Sequence, residues 1–357
     1  MIDNIRLFII FYLHKILLIS SICLIYKLFF YKKKKQVTIY DEIIQDPKGN
    51  QYIVESRIGK GTFGKVVQCR VKDATYALKV QTDYFNGEVH MLQAVKGSKH
   101  CVQMFSSFVN GPLLYIVFEK LHKSVYDVLS LKAMLETDVV SISRQMLEAL
   151  RFLKSKRIIH CDIKPENIMF VNENDNTVKL IDFGLAMYDY QSERQYTIST
   201  PPYRCPENIL SIEWSFGADI WSLGCVICEM QSGIVLFNSG DYFQDLPNDD
   251  AQCRHLCEIE TVCGFFPKQM VQKSKVAEKF FCSNGVSNRL LSKQLSKESS
   301  EILKNQKRIP QLFHSLAHSL AHSLAHSLAA DLVQKMLAID PDDRITAENA
   351  LHHDFFF

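Results

Sequence analysis

Hydrophobic and polar positions change their period along the chain. Between Tyr52 and Val80, β-branched residues alternate with polar ones and glycines interrupt the pattern, and residues 113–121 repeat it. Alternation with a period of two is typical of strands, so these segments predict a small antiparallel sheet. After about Asp127 the apolar spacing becomes helical, as in residues 139–157. The pattern predicts an α+β, bilobal fold, with a small β-rich lobe, a larger helical lobe and a cleft between them.

The amino end has a different pattern. Ile, Leu, Phe and Tyr dominate from Leu7 to Tyr31, and the run Lys32–Lys35 follows. This length suffices for a membrane-spanning helix, and the lysine run would then put the following chain in the cytosol. His14 and Lys15 oppose insertion, because one central lysine costs about 2.5 to 3.5 kcal/mol. Residues 1–35 are therefore either a membrane anchor or an apolar, basic leader that does not insert.

Composition shifts define the remaining organisation. Residues 36–51 are polar and turn-rich and are interpreted as a linker. One large domain is predicted over residues 52–356. We expect its N-lobe at about 52–121 and its C-lobe at about 122–356.

Residues 314–329 are four copies of His-Ser-Leu-Ala. A tetrapeptide advances about 400° around a helix, so its leucines drift by about 40° per copy and cannot form a long straight seam. We interpret the repeat as an expansion in a surface helix or loop. The alternative is a histidine-rich metal site, although the repeat contains no carboxylate or thiol.

Charge separates the leader from the body. The chain has 41 Lys plus Arg and 39 Asp plus Glu, a net charge of +2. Residues 1–35 hold seven basic side chains and one acidic one, which leaves 34 basic and 38 acidic residues and a net of −4 in the body. This balance argues against direct nucleic-acid binding and favours a basic partner. Eleven cysteines without a framework spacing indicate a reducing compartment.

A glycine-rich segment is the first candidate for chemistry. Residues 59–66 read GKGTFGKV, with glycines at the first, third and sixth positions between two strand-like runs. Glycine lets backbone N–H groups approach phosphates closely. Because Val66 and Val67 continue as a strand, where a dehydrogenase loop would open a helix, the segment predicts a β-hairpin lid over a nucleotide.

A lysine and a glutamate fit beside this lid. Lys79 ends an apolar strand, which suits a lysine that pairs with α- and β-phosphates. Glu88 begins a segment with helical apolar spacing and is the best candidate for the carboxylate that holds Lys79. We expect this pair to act in catalysis.

The decisive segment is His160–Asn167, which Asp182-Phe183-Gly184 follows. Asp162 would accept the proton of a substrate hydroxyl, and Lys164 would neutralise charge on the transferring phosphoryl group. Asn167 and Asp182 would supply oxygen ligands for Mg²⁺. The set predicts phosphoryl transfer from ATP.

In these motifs the chain from about Tyr52 to Phe356 resembles a eukaryotic protein kinase domain. The resemblance implies that Cys205-Pro206-Glu207 corresponds to the Ala-Pro-Glu motif of the family, whose glutamate pairs with an arginine, here Arg344. It further implies that Asp219 holds the backbone of the catalytic loop, which is the segment His160–Asn167. The ATP contacts that it implies are Ile58, Gly59, Lys60, Gly61, Thr62, Phe63, Gly64, Lys65, Val66, Ala77, Lys79, Glu119 and Leu121.

Several shorter segments of the sequence resemble the LAMMER-type (Cdc-like, CLK) dual-specificity kinases. Residues 63–69 are similar to the FGKVVEC of that subfamily, residues 199–204 to its STRHYR, and residues 266–273 to its IPKHMIQK. The naming motif EHLAMMERILGP is matched only in part by residues 254–264. The DYRK kinases are the alternative, because His160-Cys161-Asp162 is typical of them.

The resemblance carries expectations about regulation and substrates. Many kinases have arginine where Cys161 stands, so we expect activity without an upstream activating kinase. Autophosphorylation is expected on Tyr196. LAMMER-type kinases act on Ser/Arg-rich splicing factors, so Glu166 and Asp127 are the carboxylates expected near a substrate arginine, although Asp127 could equally contact the ATP ribose.

The resemblance also implies a monomer in the nucleus or cytoplasm, or a membrane-anchored kinase if the leader inserts. A pseudokinase scaffold without catalysis is the alternative from another class. The presence of Lys79, Glu88, Asp162, Asn167 and Asp182 argues against it.

Overall fold

The structure is a computed structural model that describes residues 43–60, 64–82, 87–131, 134–190, 198–238, 248–281, 308–309, 311–312 and 320–357. These residues fall almost wholly within one compact unit, Gln45–Phe357. The leader, residues 61–63 of the glycine-rich segment, Tyr196 and the first part of the HSLA repeat lie outside the described residues. Among the helices of the described segments, none has both the length and the apolar character needed to cross a bilayer.

Strands dominate the first part of the body. They are β1 (Ile43–Gln45), β2 (Gln51–Lys60), β3 (Gly64–Val71), β4 (Ala74–Gln81), β5 (Met104–Asn110) and β6 (Leu113–Glu119). Strands β2 to β6 form an antiparallel sheet in the order β2-β3-β4-β6-β5. Helix α1 (Glu88–Ala94) interrupts this series and packs against β5. It begins after Gly87, whose φ of 72° suits glycine.

Helices dominate the second part. They are α2 (Val125–Leu129), α3 (Glu136–Ser155), α4 (Pro206–Ile209), α5 (Gly217–Ser232), α6 (Asn248–Cys263), α7 (Lys268–Lys273), α8 (Ala277–Phe280), α9 (Leu320–Met336) and α10 (Ala347–Ala350). The short strands β7 (Ile158–Ile159) and β10 (Met187–Tyr188) pair antiparallel, as do β8 (Ile168–Phe170) and β9 (Val178–Leu180). Short 3₁₀ turns lie at Pro165–Asn167, Phe183–Leu185, Pro201–Tyr203 and Asp354–Phe356.

Two helices organise the core of the second lobe. Helix α3 buries Val139, Ile142, Met146, Leu150 and Leu153, which recur every three or four residues along one face. Helix α5 is buried on nearly all sides and contacts both α3 and α9. The bilobal α+β prediction is confirmed.

Two features differ from the sequence-based expectation. The predicted linker contains strand β1, whose Ile43 and Ile44 are β-branched residues that favour extended backbone. The HSLA repeat does not remain on the surface throughout. Its last two copies, residues 322–329, lie within α9, where Ala329 is buried because the helix continues into the core.

Candidate active site

Strands β2 and β3 carry the two sides of the glycine-rich hairpin. Gly59 is paired with Val66 in the sheet register. Gly64 lies beside β4, opposite Gln81 in the ladder, and a Cβ there would be 2.3 Å from the carbonyl oxygen of Val80. A larger residue at Gly64 would therefore push the hairpin away from β4.

The sheet register gathers several predicted ATP contacts on one face. Val66 is directly opposite Lys79 across β3 and β4, and Ala77 is opposite Phe118 across β4 and β6. Residues opposite each other in a sheet share a face, and Ala77 and Lys79 are two apart in one strand. Val66, Ala77, Lys79 and Phe118 therefore line the same side of the sheet.

The remaining predicted ATP contacts lie at the edges of this face. Ile58 is partly exposed on β2, and Leu121 is buried just after β6. The carboxylate of Glu119 accepts hydrogen bonds from the Lys179 ammonium at 2.7 Å and from the Gln103 amide at 2.7 Å. Because this carboxylate is occupied, a nucleotide contact at Glu119 would involve its backbone.

Lys79 joins the sheet to helix α1. Its Nζ donates to both carboxylate oxygens of Glu88, at 2.7 and 2.8 Å, and to Oδ1 of Asp182 at 3.1 Å. Burial alone would lower the pKa of Lys79, but the charges and hydrogen bonds of Glu88 and Asp182 outweigh it and raise the pKa. Lys79 is therefore a cation at neutral pH. Of its two partners, Asp182 is the more exposed to solvent.

Asp182 has a left-handed backbone conformation, with φ of 61°. This conformation is strained for a residue with a Cβ and persists only where neighbours fix it. The Nε2–H of His160 donates to the Ile181 carbonyl, 3.0 Å away, and the ring packs edge-on against Phe183 at 4.9 Å. These contacts with the flanking residues hold Asp182 beside Lys79.

Asp162 is the centre of a second polar cluster. Its Oδ2 lies 2.8 Å from the Lys164 ammonium, and its Oδ1 accepts from the Thr200 hydroxyl at 2.9 Å. Lys164 also donates to the Thr200 hydroxyl at 2.9 Å. Burial alone would raise the pKa of Asp162, but its hydrogen bond and charge interaction with Lys164, with help from His160, lower it. Asp162 is ionised and can accept a proton.

Asn167 connects this cluster to the expected metal site. Its Nδ2 donates to the carbonyl oxygen of Asp162 at 2.8 Å and to its Oδ2 at 3.1 Å. The donor end of the amide is thus used, which leaves Oδ1 as an acceptor. Among the described residues no three His, Cys, Asp or Glu side chains form a metal-holding group. One amide oxygen and the carboxylate of Asp182 fit a hard divalent cation that takes its other ligands from phosphates and water.

Asp219 on α5 holds the start of the catalytic loop through its backbone. Its carboxylate accepts from the backbone amides of His160 at 2.7 Å and Cys161 at 3.0 Å. Burial, with the nearby charge of Asp162, raises the pKa of Asp219. Cys161 has φ of 69°, so these two hydrogen bonds stabilise a strained turn directly before Asp162.

Glu207 and Arg344 form the predicted ion pair. The guanidinium donates from Nη1 to Oε1 at 2.6 Å and from Nη2 to Oε2 at 2.9 Å, and both side chains are almost fully buried. Arg344 also donates to the carbonyl oxygens of Gly217 and Ala338. The pair connects α4, α5 and the segment before α10.

The expected substrate carboxylates are in different settings. Glu166 is exposed on the 3₁₀ turn after Lys164. Asp127 forms a capping box with Ser124: its Oδ2 accepts from the Ser124 amide at 2.8 Å, and its amide donates to the Ser124 hydroxyl at 3.1 Å. Asp127 therefore has a role in starting α2, whereas Glu166 has its carboxylate free of such a cap.

Sequence reasoning missed Glu229, a buried carboxylate on α5. Its Oε2 accepts from the Tyr203 hydroxyl at 2.7 Å. Burial and then the charge of Glu166 raise the pKa of Glu229, against the hydrogen bond from Tyr203. The charge of Glu166 therefore acts on Glu229. A glutamate within the apolar run SLGCVICEM was the available signal.

Comparison with known proteins agrees with this geometry. The family model of the protein kinase domain matches residues 52–356. Serine/threonine-protein kinase AFC2 of Arabidopsis thaliana is 32% identical over 345 residues, which are 86% of this chain and 77% of that protein. Dual specificity protein kinase CLK1 of Homo sapiens is 30% identical over 347 residues, covering 86% and 66% of the two chains. Dual specificity protein kinase lkh1 of Schizosaccharomyces pombe is 30% identical over 341 residues, covering 86% and 47%.

The chain belongs to the protein kinase family and is an enzyme that transfers a phosphoryl group from ATP to protein. Within this family it is of the LAMMER type, the subfamily of the CLK and lkh1 kinases. The predicted subfamily is thereby confirmed.

Proposed function

We propose that this kinase phosphorylates serine and threonine in Ser/Arg-rich proteins, splicing factors among them, and tyrosine in itself. The observation that carries the proposal is the cluster of Asp162, Lys164 and Thr200, in which an ionised carboxylate and an ammonium lie 2.8 Å apart. It combines a proton acceptor with a cation for the transferring phosphoryl group, which is what transfer to a hydroxyl requires.

Each residue of the site then has a role in one reaction. Asp162 orients the substrate hydroxyl and takes its proton as the oxygen bonds to the γ-phosphorus. Lys164 neutralises charge on the phosphoryl group while the bond to the β–γ bridging oxygen breaks and ADP leaves. Lys79, held by Glu88, binds the α- and β-phosphates.

We assign the divalent cation as Mg²⁺, held by Asn167 and Asp182. When bound, it would neutralise the β- and γ-phosphates. The support is the donor set, one amide oxygen and one carboxylate, which leaves most positions for phosphates and water. Asn167 at the same time donates to Asp162, so the proton acceptor and the cation ligand are kept in fixed relation.

The proposed substrate class rests on Glu166 and Glu229. Two carboxylates that act on each other electrostatically, one exposed and one buried, suit the guanidinium of a substrate arginine, which binds carboxylates in a bidentate manner. The net charge of −4 in the body favours a basic substrate in the same sense.

Tyrosine autophosphorylation and location complete the proposal. CLK1 and lkh1 are named as dual specificity kinases, which supports tyrosine phosphorylation in this chain, with Tyr196 as the proposed site. We propose a nuclear or cytoplasmic location from the LAMMER resemblance. Fractionating the full chain beside a version that starts at Gln36 tests it, because carbonate-resistant membrane association lost on truncation would identify an anchor instead.

Replacing Asp162 with asparagine tests the mechanism. Asp162→Asn keeps the shape but removes the proton acceptor, so kcat on a Ser-containing peptide should fall by about 10²- to 10⁴-fold. The matched control is Asp175→Asn, a surface carboxylate in the turn before β9, which should keep its activity. Phosphate transfer that is equal in the two variants would contradict the assigned role.

A further inference from the structure

Helix α1 is held on two sides. Glu88 contacts Lys79, whereas His90, two residues later, contacts the strand that follows Asp182-Phe183-Gly184. Residues two apart on a helix point about 200° away from each other. The two contacts therefore lie on opposite sides of the helix axis and together fix its rotation.

The second contact is made by Tyr188. Its hydroxyl and the Nε2 of His90 are 3.1 Å apart and share a hydrogen bond, and the two rings meet edge-on at 5.8 Å. In the tautomer with Nε2 unprotonated, the phenolic hydroxyl donates. Glu88 lies on the buried side of α1, and His90 lies on the exposed side.

Tyr188 is itself fixed to the base of the catalytic loop. It pairs with Ile158 in the β7–β10 ladder, and its ring stacks on Tyr190 at 5.1 Å. The guanidinium of Arg157 lies over the Tyr190 ring and donates to both carboxylate oxygens of Asp189, at 2.8 and 3.1 Å. Strand β7 leads directly into the catalytic loop, so the His90 contact connects α1 to the segment that carries Asp162.

Helix α1 needs such support. It has seven residues. The residue before it is Gly87, which has no side chain that could cap the helix. A helix this short is unstable by itself and takes its position from tertiary contacts. Rotation of α1 would separate Glu88 from Lys79 and leave a buried lysine and a buried glutamate without each other.

We propose that the His90–Tyr188 hydrogen bond is a positioning contact that keeps α1 in the orientation in which Glu88 pairs with Lys79. The inference rests on the role proposed above for that ion pair. His90 and Tyr188 touch no reacting atom in this scheme, and they act through Glu88. Loss of the bond should lower the fraction of molecules with a formed Lys79–Glu88 pair and hence lower kcat.

Tyr188→Phe is the primary variant, because it removes the hydroxyl and keeps the stacked ring. One net hydrogen bond corresponds to about a fivefold change in such an equilibrium, so kcat should fall by up to about fivefold, with the full loss where the pair is not the dominant state to begin with. Tyr126→Phe, at an exposed tyrosine on α2, is the matched control and should leave kcat unchanged. His90→Ala should match Tyr188→Phe, and His90→Gln, whose amide can bond the same hydroxyl, should recover most of the loss.

A background without the ion pair distinguishes positioning from a general structural effect. In Glu88→Gln the contact has no charge pair left to support, so adding Tyr188→Phe should lower kcat no further. An additive loss in that background, or an unchanged kcat in Tyr188→Phe, would overturn the inference. If Glu88→Gln itself keeps full activity, the proposed role of the ion pair fails first, which separates the two failures.

Discussion

Ser199 donates two hydrogen bonds to the backbone carbonyl of Cys161, from its amide at 2.9 Å and from its hydroxyl at 3.1 Å. Arg204 adds two more to this segment, from its guanidinium to the carbonyl oxygens of Ile198 and Ser199, each at 3.0 Å. Residues 182–207 form the activation segment, and its end is thus bound to the catalytic loop by unmodified residues. The side chain of Cys161 is buried beneath it and presents no cation to a phosphate.

The first prediction is activity without a phosphorylated activation segment. Kinase produced in a bacterial host, treated with a phosphatase and freed of it, should retain the specific activity of the untreated enzyme to within about twofold. The reason is that Ser199 and Arg204 already supply the bonds that a phosphate would otherwise organise. A strict requirement for an added activating kinase would contradict this.

The second prediction concerns the pH dependence of stability. Lys164 is the main group that lowers the pKa of Asp162 below its ordinary value of 3.8, against the effect of burial. A carboxylate with a lowered pKa stabilises the fold fully above its ordinary pKa, and this contribution is lost as pH falls through the folded-state pKa. The difference in free energy of unfolding between the unmodified chain and Asp162→Asn should therefore be constant from pH 7 to about 5.

Below pH 3.8 the free energy of unfolding of the unmodified chain should fall relative to that of Asp162→Asn, because the carboxylate is protonated. Urea denaturation at a series of pH values measures it. A change that begins well above pH 5 would mean that the pKa of Asp162 is raised, and the ion pair with Lys164 would then not dominate.

The third prediction tests the Glu207–Arg344 pair. Arg344→Ala leaves a buried carboxylate without its partner, so the free energy of unfolding should fall by about 3 to 5 kcal/mol. Arg151→Ala removes an exposed arginine whose Nη1 is 3.8 Å from Glu348, and it should cost less than about 1 kcal/mol. Chemical denaturation compares the two, and equal losses would contradict the special role of burial.

Sequence reasoning succeeded where residues act through short motifs of fixed spacing. The sequence alone paired Lys79 with Glu88, and their atoms lie 2.7 Å apart. It also matched Glu207 with Arg344 through family resemblance, although 137 residues separate them. In both cases the chemistry requires particular residue types, so the sequence alone identifies the two partners.

Sequence reasoning was less informative about residues whose type serves several structural and functional roles. Asp127 follows Ser124 by three residues, a spacing that signals the start of a helix as well as any binding role. Glu229 contacts Tyr203 across 26 residues, and neither belongs to a recognised catalytic motif. Its importance follows from burial and from the neighbouring charge of Glu166, which only the folded chain brings together.

The last prediction uses that neighbourhood to test substrate choice. Glu166 is exposed, so Glu166→Gln should remove a charge without disturbing the fold. A hydrogen bond to a charged group contributes about 1.5 to 3 kcal/mol, and solvent screening reduces the value at an exposed site. The KM for an Arg-rich serine peptide should therefore rise by about fivefold, while the KM for a neutral serine peptide stays unchanged.

Glu348→Gln, at an exposed glutamate on α10, is the matched control for the loss of one negative charge. It should affect neither peptide, because its ion-pair partner is Arg151, which has no role in the proposed site. Raising the salt concentration should reduce the difference in KM between the neutral and the Arg-rich peptide for the unmodified kinase, since exposed charges are screened. An equal rise in KM for both peptides in Glu166→Gln would show that Glu166 does not recognise arginine.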